Sequence, residues 1–361
     1  MKVVLISYYF DPFPGVGAKR TSYWAEHLNE FDVEVEVITA TEQVEEKKGI
    51  VFLPKTSRFN LLGKLIKDPG LIWKDDLLDY FDSKPNFNCD WFIFSGGPFM
   101  HFGIGNYVQK KYGCKVLLDY RDPFGYNPRH KDGFLKRTIK TFYEKRNNQM
   151  ADAITTVNEI CKQDMSHSNK VTIISNGFDD QKLLTGMDKR SNIPVIKGMI
   201  LNGGKLYPDF RLDPLLNVLN EDDSLVFRQI GATYPAIDAL KNDRIRSHGF
   251  VAYNELLSAI EAAEICTVLT GGEAFETPTK TYDYIGLNKK ILVVTEGEIN
   301  TGGLQSILID YPNVQWSINE KGAIRQAIQK LQQQELIKIN PHPFSRKASL
   351  EKLVALLKSL N

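Results

Sequence analysis

Two doubly wound parallel α/β sheets in tandem are the fold class this sequence predicts, and three observations carry the prediction. Short apolar runs alternate with longer amphipathic segments from end to end. That alternation restarts after about Asp180. The chain's 361 residues also exceed what a single hydrophobic core comfortably fills, so two domains are expected.

In the first half the apolar runs Val3–Ser7, Val33–Thr39, Trp91–Ser95, Val116–Leu118, Ala153–Val157 and Val171–Ile174 read as strands. Segments of helical period lie between most of them: Lys19–Asn29, Leu71–Phe81, His101–Tyr112, Leu135–Met150 and Glu159–Ser166. Nearly continuous Val, Ile and Leu strands with crossover helices imply a parallel sheet covered on both faces. Lys182–Lys197 is polar, contains Gly186 and Pro194, and reads as a linker. A second set of strands follows at Met199–Leu201, Leu225–Gln229, Ile245–Ser247, Cys266–Leu269 and Ile291–Val294. Helices are expected with them at Asp213–Leu219, Tyr253–Ala263, Thr279–Leu287 and Lys321–Gln333. The expected domains are therefore 1–185 and 186–340, with a ligand cleft between facing strand ends. The remaining segment, 341–361, holds an amphipathic helix (Phe344–Leu360) expected to pack back across the junction.

Lys and Arg number 45 against 44 Asp and Glu, a formal charge of +1, so no global field recruits nucleic acid. The cysteines Cys89, Cys114, Cys161 and Cys266 stand far apart in sequence and form no C-x-x-C pair. Reduced, mostly buried thiols of a cytoplasmic protein are the expectation. The apolar start, Val3–Ile6, is too short for a secretory leader. No apolar stretch approaches the roughly 18 residues that span a bilayer. Histidine spacing offers no metal site, no two aspartates stand two apart, and G-x-S-x-G is missing, so no metal is expected.

Four segments carry chemistry. After the first strand comes Tyr8-Tyr9-Phe10-Asp11-Pro12-Phe13-Pro14-Gly15-Val16-Gly17-Ala18-Lys19-Arg20, then a helix. Gly15 and Gly17 let backbone amides approach an anion at a helix start. The third glycine and terminal acidic residue of a dinucleotide fingerprint are missing, and a plain strand–loop–helix connection gives the same pattern. Strand Trp91–Ser95 ends in Gly96-Gly97-Pro98, and Val116–Leu118 runs into Asp119-Tyr120-Arg121-Asp122-Pro123-Phe124. Both turns fall at the C-terminal edge of one sheet, where such folds bind ligands, although Arg121 and Asp122 would also serve as an ion pair holding a loop. Asn202-Gly203-Gly204-Lys205 is not a P-loop, since Met199 and Leu206 replace its first glycine and its Ser/Thr. It still presents flexible backbone and a cation, with Arg211 nearby, suited to a diphosphate. In Glu276-Thr277-Pro278-Thr279-Lys280-Thr281-Tyr282-Asp283-Tyr284, Pro278 suits a first helical turn and Thr277 an N-cap. Lys280 and Asp283 then share a helix face, the lysine for an anion and the aspartate for ribose hydroxyls.

In this order the segments resemble the retaining GT-B glycosyltransferases of the family-four type, common in bacterial polysaccharide assembly. Similar proteins open with a strand, a Tyr-Phe-x-Pro loop and a Gly-rich turn, as in Ile6–Arg20. One branch has Ser-Gly-x-Pro-Phe and Asp-x-Arg-Asp-Pro turns, matching Ser95–Phe99 and Asp119–Phe124. Asp152–Val157 with Ile174–Asp179 resembles the end of the family's first domain, and Thr279–Tyr284 its Pro-x-Lys-x-x-Glu-Tyr donor helix. The resemblance covers nearly the whole chain.

It implies two Rossmann-like domains and transfer of a sugar, with retention, from a nucleotide-diphosphate sugar to an acceptor hydroxyl, without metal or resident cofactor. The implied donor set is Gly15, Gly17, Gly204, Lys205, Arg211, Glu276, Thr279, Lys280 and Asp283. Arg20, Ser95 and Gly96 are the implied acceptor residues, and Arg121 and Asp122 the catalytic ones. The family's pair of glutamates eight residues apart is not reproduced: Phe275 and Asp283 hold those positions, with Glu276 one residue displaced. Arg121-Asp122 occupies the turn where many relatives carry a histidine, leaving the acceptor's proton carrier open. A nucleotide-sugar epimerase, a nicotinamide-dependent oxidoreductase without its fingerprint and a non-catalytic nucleotide-sugar-binding subunit are the rival readings.

The acceptor is expected to be a glycan or lipid-linked glycan, with the chain peripheral on the inner face of a membrane. Arg129, Lys131, Lys136, Arg137, Lys140, Lys145 and Arg146 face only Asp132 and Glu144 in this stretch, interleaved with Phe134, Leu135, Ile139, Phe142 and Tyr143 at helical spacing. Such a helix suits an anionic membrane surface; equally, its aromatics suit a core and its cations a solvated face.

Overall fold

A computed structural model describes the chain except at 14, 44–46, 57–60, 128–131, 164, 186–189, 191, 207–209, 233–236 and 238–241. The chain divides into two compact units, Met1–Ser175 with Ser349–Asn361, and Asn176–Ala348.

The first unit is built on strands β1 (Lys2–Ser7), β2 (Glu34–Thr39), β3 (Ile50–Phe52), β4 (Trp91–Ser95), β5 (Lys115–Tyr120), β6 (Ala153–Thr156) and β7 (Val171–Ile173). They lie in the order β3-β2-β1-β4-β5-β6-β7, and every pair is parallel. Alternation along the strands explains why the apolar runs are continuous. Val4, Ile6, Phe92, Phe94, Val116 and Leu118 enter one core cluster, while Val3, Leu5, Trp91, Ile93 and Leu117 enter another on the opposite face. The C-terminal helix (Arg346–Ser359) adds Leu350, Leu353, Val354 and Leu357 to the second cluster, a stripe at helical spacing.

The second unit repeats the scheme with β8 (Ile196–Gly203), β9 (Val226–Ile230), β10 (Ile245–Ser247), β11 (Ala263–Thr270), β12 (Lys290–Thr295) and β13 (Val314–Ile318). Their order is β10-β9-β8-β11-β12-β13, again all parallel. Ile200, Ile265, Leu269, Leu292 and Val294 face one way, and Met199, Leu201, Cys266, Val268, Ile291 and Val293 the other.

Among the described residues, the short elements that escape the sequence pattern include β3, β13 and the helices Leu61–Ile66, Asp180–Leu184 and Gly302–Leu308. The segment expected as a linker, Lys182–Lys197, thus takes in the end of one helix and the start of β8. Five to seven residues hold too little periodicity to read, and Gly302 adopts φ +73, where a helix former would be strained. The single helix expected over His101–Tyr112 is instead a 3₁₀ turn, Met100–Ile104, followed by a helix, Gly105–Tyr112. Sequence distance also misleads for the thiols. Cys89 and Cys114, 25 residues apart in sequence, stand with their Sγ atoms 2.6 Å from each other, because they precede the paired strands β4 and β5.

Candidate functional site

In each sheet the strand order reverses once, between β1 and β4 and between β8 and β11. Loops leaving neighbouring strands there run in opposite directions and open a crevice at the C-terminal edge. Most of the sequence-predicted residues lie at these two places, Arg211 excepted.

In the first unit the organising group is Asp119, which the sequence reading did not single out. It is fully buried near the end of β5. Its Oδ1 accepts from Arg20 Nη2 (3.1 Å) and Thr155 Oγ1 (2.8 Å). Its Oδ2 accepts from Arg20 Nε (3.2 Å) and Ser95 Oγ (2.9 Å). Arg20 is itself buried, donates through Nη1 to the Ser175 carbonyl at 3.0 Å, and lies 4.5 Å from the Trp24 ring. Arg20 and Ser95, expected at the acceptor, thus have their side chains engaged by a buried carboxylate.

Arg121 is a clasp between loops. Its Nε donates to the Gly96 carbonyl and its Nη1 to the Gly17 carbonyl. Burial pulls its pKa down, opposed by Asp119 and Asp122. A β-carbon on Gly17 would lie 3.1 Å from Arg121 Nη1, a tight contact that a few tenths of an ångström of movement by the guanidinium would relieve. At Gly96 a β-carbon would come 2.2 Å from Phe99 Cδ1. Gly15 stands just before the helix Val16–His27, its extended backbone (φ −72, ψ 152) leading into it. Asp122 is exposed.

Beside these loops is a cavity of about 450 Å³ whose lining includes Tyr9, Asp68, Phe99, Phe124, Lys136 and Lys140. Asp68 accepts from the amides of Gly70 (2.8 Å) and Phe99 (2.9 Å). Burial nevertheless raises its pKa, with those amides and Lys140 pulling the other way. Lys136 (2.7 Å) and Lys140 both bind Asp132. Burial raises the pKa of Asp132, but the two lysines outweigh it and hold the carboxyl below its ordinary range. Asp68 escaped the sequence reading because Lys67-Asp68-Pro69-Gly70 looks like any turn.

The helix bearing these lysines, Phe134–Met150, has a different outer face. Phe134, Leu135 and Phe142 are 87%, 62% and 60% exposed. Ile139 and Tyr143 pack against the core. Of the expected cations, Arg137, Lys145 and Arg146 are exposed, with Arg137 4.1 Å from the Tyr126 ring. Arg129 and Lys131 lie outside the described residues.

In the second unit, β8 ends in Asn202 and Gly203, and Gly204 follows with φ +109. The Gly204 amide donates to the Ile230 carbonyl (2.6 Å), and its own carbonyl accepts from Gln229 Nε2 (2.6 Å). Lys280 Nζ donates to Asn202 Oδ1. Burial lowers the Lys280 pKa from its ordinary 10.5 to about 7, with Cys266 and Glu276 acting in the opposite sense. Glu276 is buried and accepts from Thr270 Oγ1. Asp283 accepts from Tyr253 at 2.9 Å. Tyr284, missed as a site residue, accepts the Gly203 amide at 2.8 Å and fixes the end of β8 from beneath.

The helix itself runs Lys280–Gly286, with Thr279 rather than the expected Thr277 at its N-cap and no side-chain capping bond. Lys205 is exposed. Arg211 is held elsewhere: Glu296, just past β12, accepts from its Nε (3.1 Å), its Nη2 (2.9 Å) and its amide (2.7 Å). Burial pushes the Glu296 pKa up, but the bonds from Arg211 and Asn319 bring it below the ordinary value. The structure therefore brings together Asn202, Gly204 and Lys280, with Glu276 close enough to bias Lys280. Arg211 is paired with an acid of its own.

Among the described residues no cluster of three or more His, Cys, Asp or Glu side chains is placed to hold a metal, and no helix is long and apolar enough to cross a membrane.

No family model and no curated protein matches the chain. Solved structures do. Sucrose-phosphate synthase from Thermosynechococcus elongatus superposes with a TM-score of 0.72 at 15% identity, over 100% of this chain and 99% of its own. UDP-GlcNAc 2-epimerase from Methanocaldococcus jannaschii matches with a TM-score of 0.62 at 13% identity, over 99% and 100%. An Anabaena protein in complex with UDP and glucose gives 0.62 at 12% identity, over 99% and 100%. With two parallel sheets of this topology and end-to-end superposition on such structures, the chain has the GT-B fold.

Proposed function

We propose that the chain is a glycosyltransferase that takes its sugar from a nucleotide-diphosphate sugar. The observation that carries this reading is Lys280 held against Asn202, beside the left-handed Gly204, at the strand reversal of the second unit. A diphosphate arriving beside a lysine whose charge burial disfavours supplies the counter-charge that keeps it protonated. Lys205, exposed on the same turn, adds a second cation, and Asp283 faces the ribose. Arg211 joins the donor set only by exchanging Glu296 for phosphate. The Anabaena neighbour's bound UDP and glucose support this class of ligand.

In the first unit the 450 Å³ cavity suits a sugar-sized acceptor, and exposed Asp122 is free to orient or deprotonate a hydroxyl. Arg121 positions that turn, and Gly15 and Gly17 present the first amides of the following helix. Loss of the leaving nucleotide is driven electrostatically, without metal. A 2-epimerase is the second reading, favoured by the neighbour of that activity; it would alter the donor sugar with no acceptor present.

The acceptor we propose is lipid-linked, in glycan assembly at an anionic membrane surface. Phe134, Leu135 and Phe142 project from the same helix that sends Lys136 and Lys140 to the cavity. The test is incubation with a panel of nucleotide-sugars with and without membrane extract. Transfer of label to lipid supports the reading. An altered sugar nucleotide formed without acceptor selects the epimerase instead.

A further inference from the structure

The edge of the first sheet opposite the loops above holds an arrangement that sugar transfer does not use. Trp91 opens β4 and Lys115 opens β5, and the two residues pair in register. Just outside them, Cys89 is half-buried and Cys114 buried, both as free thiols. Their sulfurs are 2.6 Å apart, and Cys114 Sγ is 2.9 Å from the Cys89 carbonyl oxygen. The backbone on either side is fixed. Asp90 N donates to the Lys2 carbonyl at 2.8 Å, Lys115 N to the Asp90 carbonyl at 2.9 Å, and Val116 N to Asp152 Oδ2 at 2.8 Å.

We propose that Cys89 and Cys114 are an oxidative modification site, closing to an intramolecular disulfide when the protein meets a hydroperoxide. One thiolate attacks the peroxide: an S–O bond forms, the O–O bond breaks, and the leaving oxygen takes up a proton. The second sulfur then attacks the resulting sulfenic acid. The S–S bond forms, the S–O bond breaks, and the sulfenic oxygen leaves as water with the remaining thiol proton. Two thiols are oxidised by two electrons and one peroxide is reduced. Cys89 is the more exposed of the two thiols and so the one a peroxide reaches, which leaves buried Cys114 as the resolving sulfur. Because the pair lies at the N-terminal ends of the strands, the cross-link leaves the C-terminal loops in place.

The experiment treats the full chain with hydrogen peroxide, unfolds it in an alkylating agent and maps the peptides by mass. The expected result is a Cys89–Cys114 linked peptide within monomeric chain, reversed by dithiothreitol, with Cys161 and Cys266 alkylated throughout. Nucleotide binding should be unchanged between the two redox forms. Cys89→Ser and Cys114→Ser should each abolish the link. Full alkylation of Cys89 and Cys114 after peroxide, or a link only between chains, would overturn the proposal. The measurement on the unmodified protein stands even where the variant folds poorly.

Discussion

The Arg20 guanidinium grips the Asp119 carboxylate with both ends, Nη2 3.1 Å from Oδ1 and Nε 3.2 Å from Oδ2, and neither side chain reaches solvent appreciably. Removing one partner strands the other's charge in the core. Arg20→Ala and Asp119→Asn should therefore each destabilise the chain by about 3–5 kcal/mol. The lower urea midpoint at unchanged slope would report it. If Arg20→Ala keeps its stability and loses only acceptor affinity, the arginine belongs to the binding site after all.

Lys280 makes the opposite prediction for stability. Its charge is disfavoured by burial, so Lys280→Met should hold or raise the melting temperature. The same change deletes a charge-assisted bond to phosphate, about 1.5–3 kcal/mol, and should weaken nucleotide-diphosphate binding at least about tenfold. Calorimetric titration with UDP, GDP and ADP tests this. Equal affinities for the variant and the parent chain would move the donor away from Lys280.

A pH dependence follows from the same group. Below about pH 7 Lys280 is charged and ready for a diphosphate; above it the side chain must first take up a proton. Affinity should fall as pH rises through 7, and binding near pH 7 should draw protons from the buffer. Calorimetry in buffers of different ionisation enthalpy measures that uptake directly. The unfolded chain keeps this proton up to the ordinary 10.5, while the folded chain releases it near 7. The unfolded state binds more protons across that window, so this group's contribution makes stability rise with pH there. Nucleotide affinity flat from pH 6 to 8 would show that Lys280 does not meet the phosphate.

Asp122 is the group through which catalysis separates from binding. It is exposed and forms no part of the Asp119 cluster, so Asp122→Asn should leave stability and nucleotide affinity alone. Transfer should fall by orders of magnitude if the carboxylate handles the acceptor hydroxyl. Parallel losses of turnover and melting temperature would make the turn structural.

The fold was legible because its central strands are buried on both faces and read as unbroken apolar runs. Trp91–Ser95 and Ile245–Ser247 have the same limits in sequence and structure, and Lys321–Gln333 the same helix limits. Short elements such as Ile50–Phe52 carry no such signal. In the site, the closeness of Gly204 and Lys280 was expected because the family resemblance put both in one donor set, on a strand end and on a helix start. The part played by Asp119 was hidden, because its main partner, Arg20, is 99 residues away and no local pattern links them. Nor does a sequence say whether an arginine already has an acid, which is why Arg211 looked free and Glu296 went unread.

The membrane surface gives the last prediction. On Phe134–Met150 the exposed apolar side chains are Phe134, Leu135 and Phe142, and the exposed cations are Arg137, Lys145 and Arg146. Lys136 and Lys140 are bound to Asp132 and contribute little outward charge. Each exposed cation near an anionic leaflet adds about 1 kcal/mol, and the apolar side chains add the area they bury in the interface. Sedimentation with anionic vesicles should therefore carry the protein down at low salt, less at high salt, and not at all with neutral vesicles. Replacing Arg137, Lys145 and Arg146 by Glu should release it, and so should Phe134→Ser with Phe142→Ser. Lys136→Gln, by contrast, should sediment normally, because that charge is already neutralised. A protein that remains in the supernatant with anionic vesicles at low salt has no membrane address on this helix, and its acceptor should then be sought among soluble glycans.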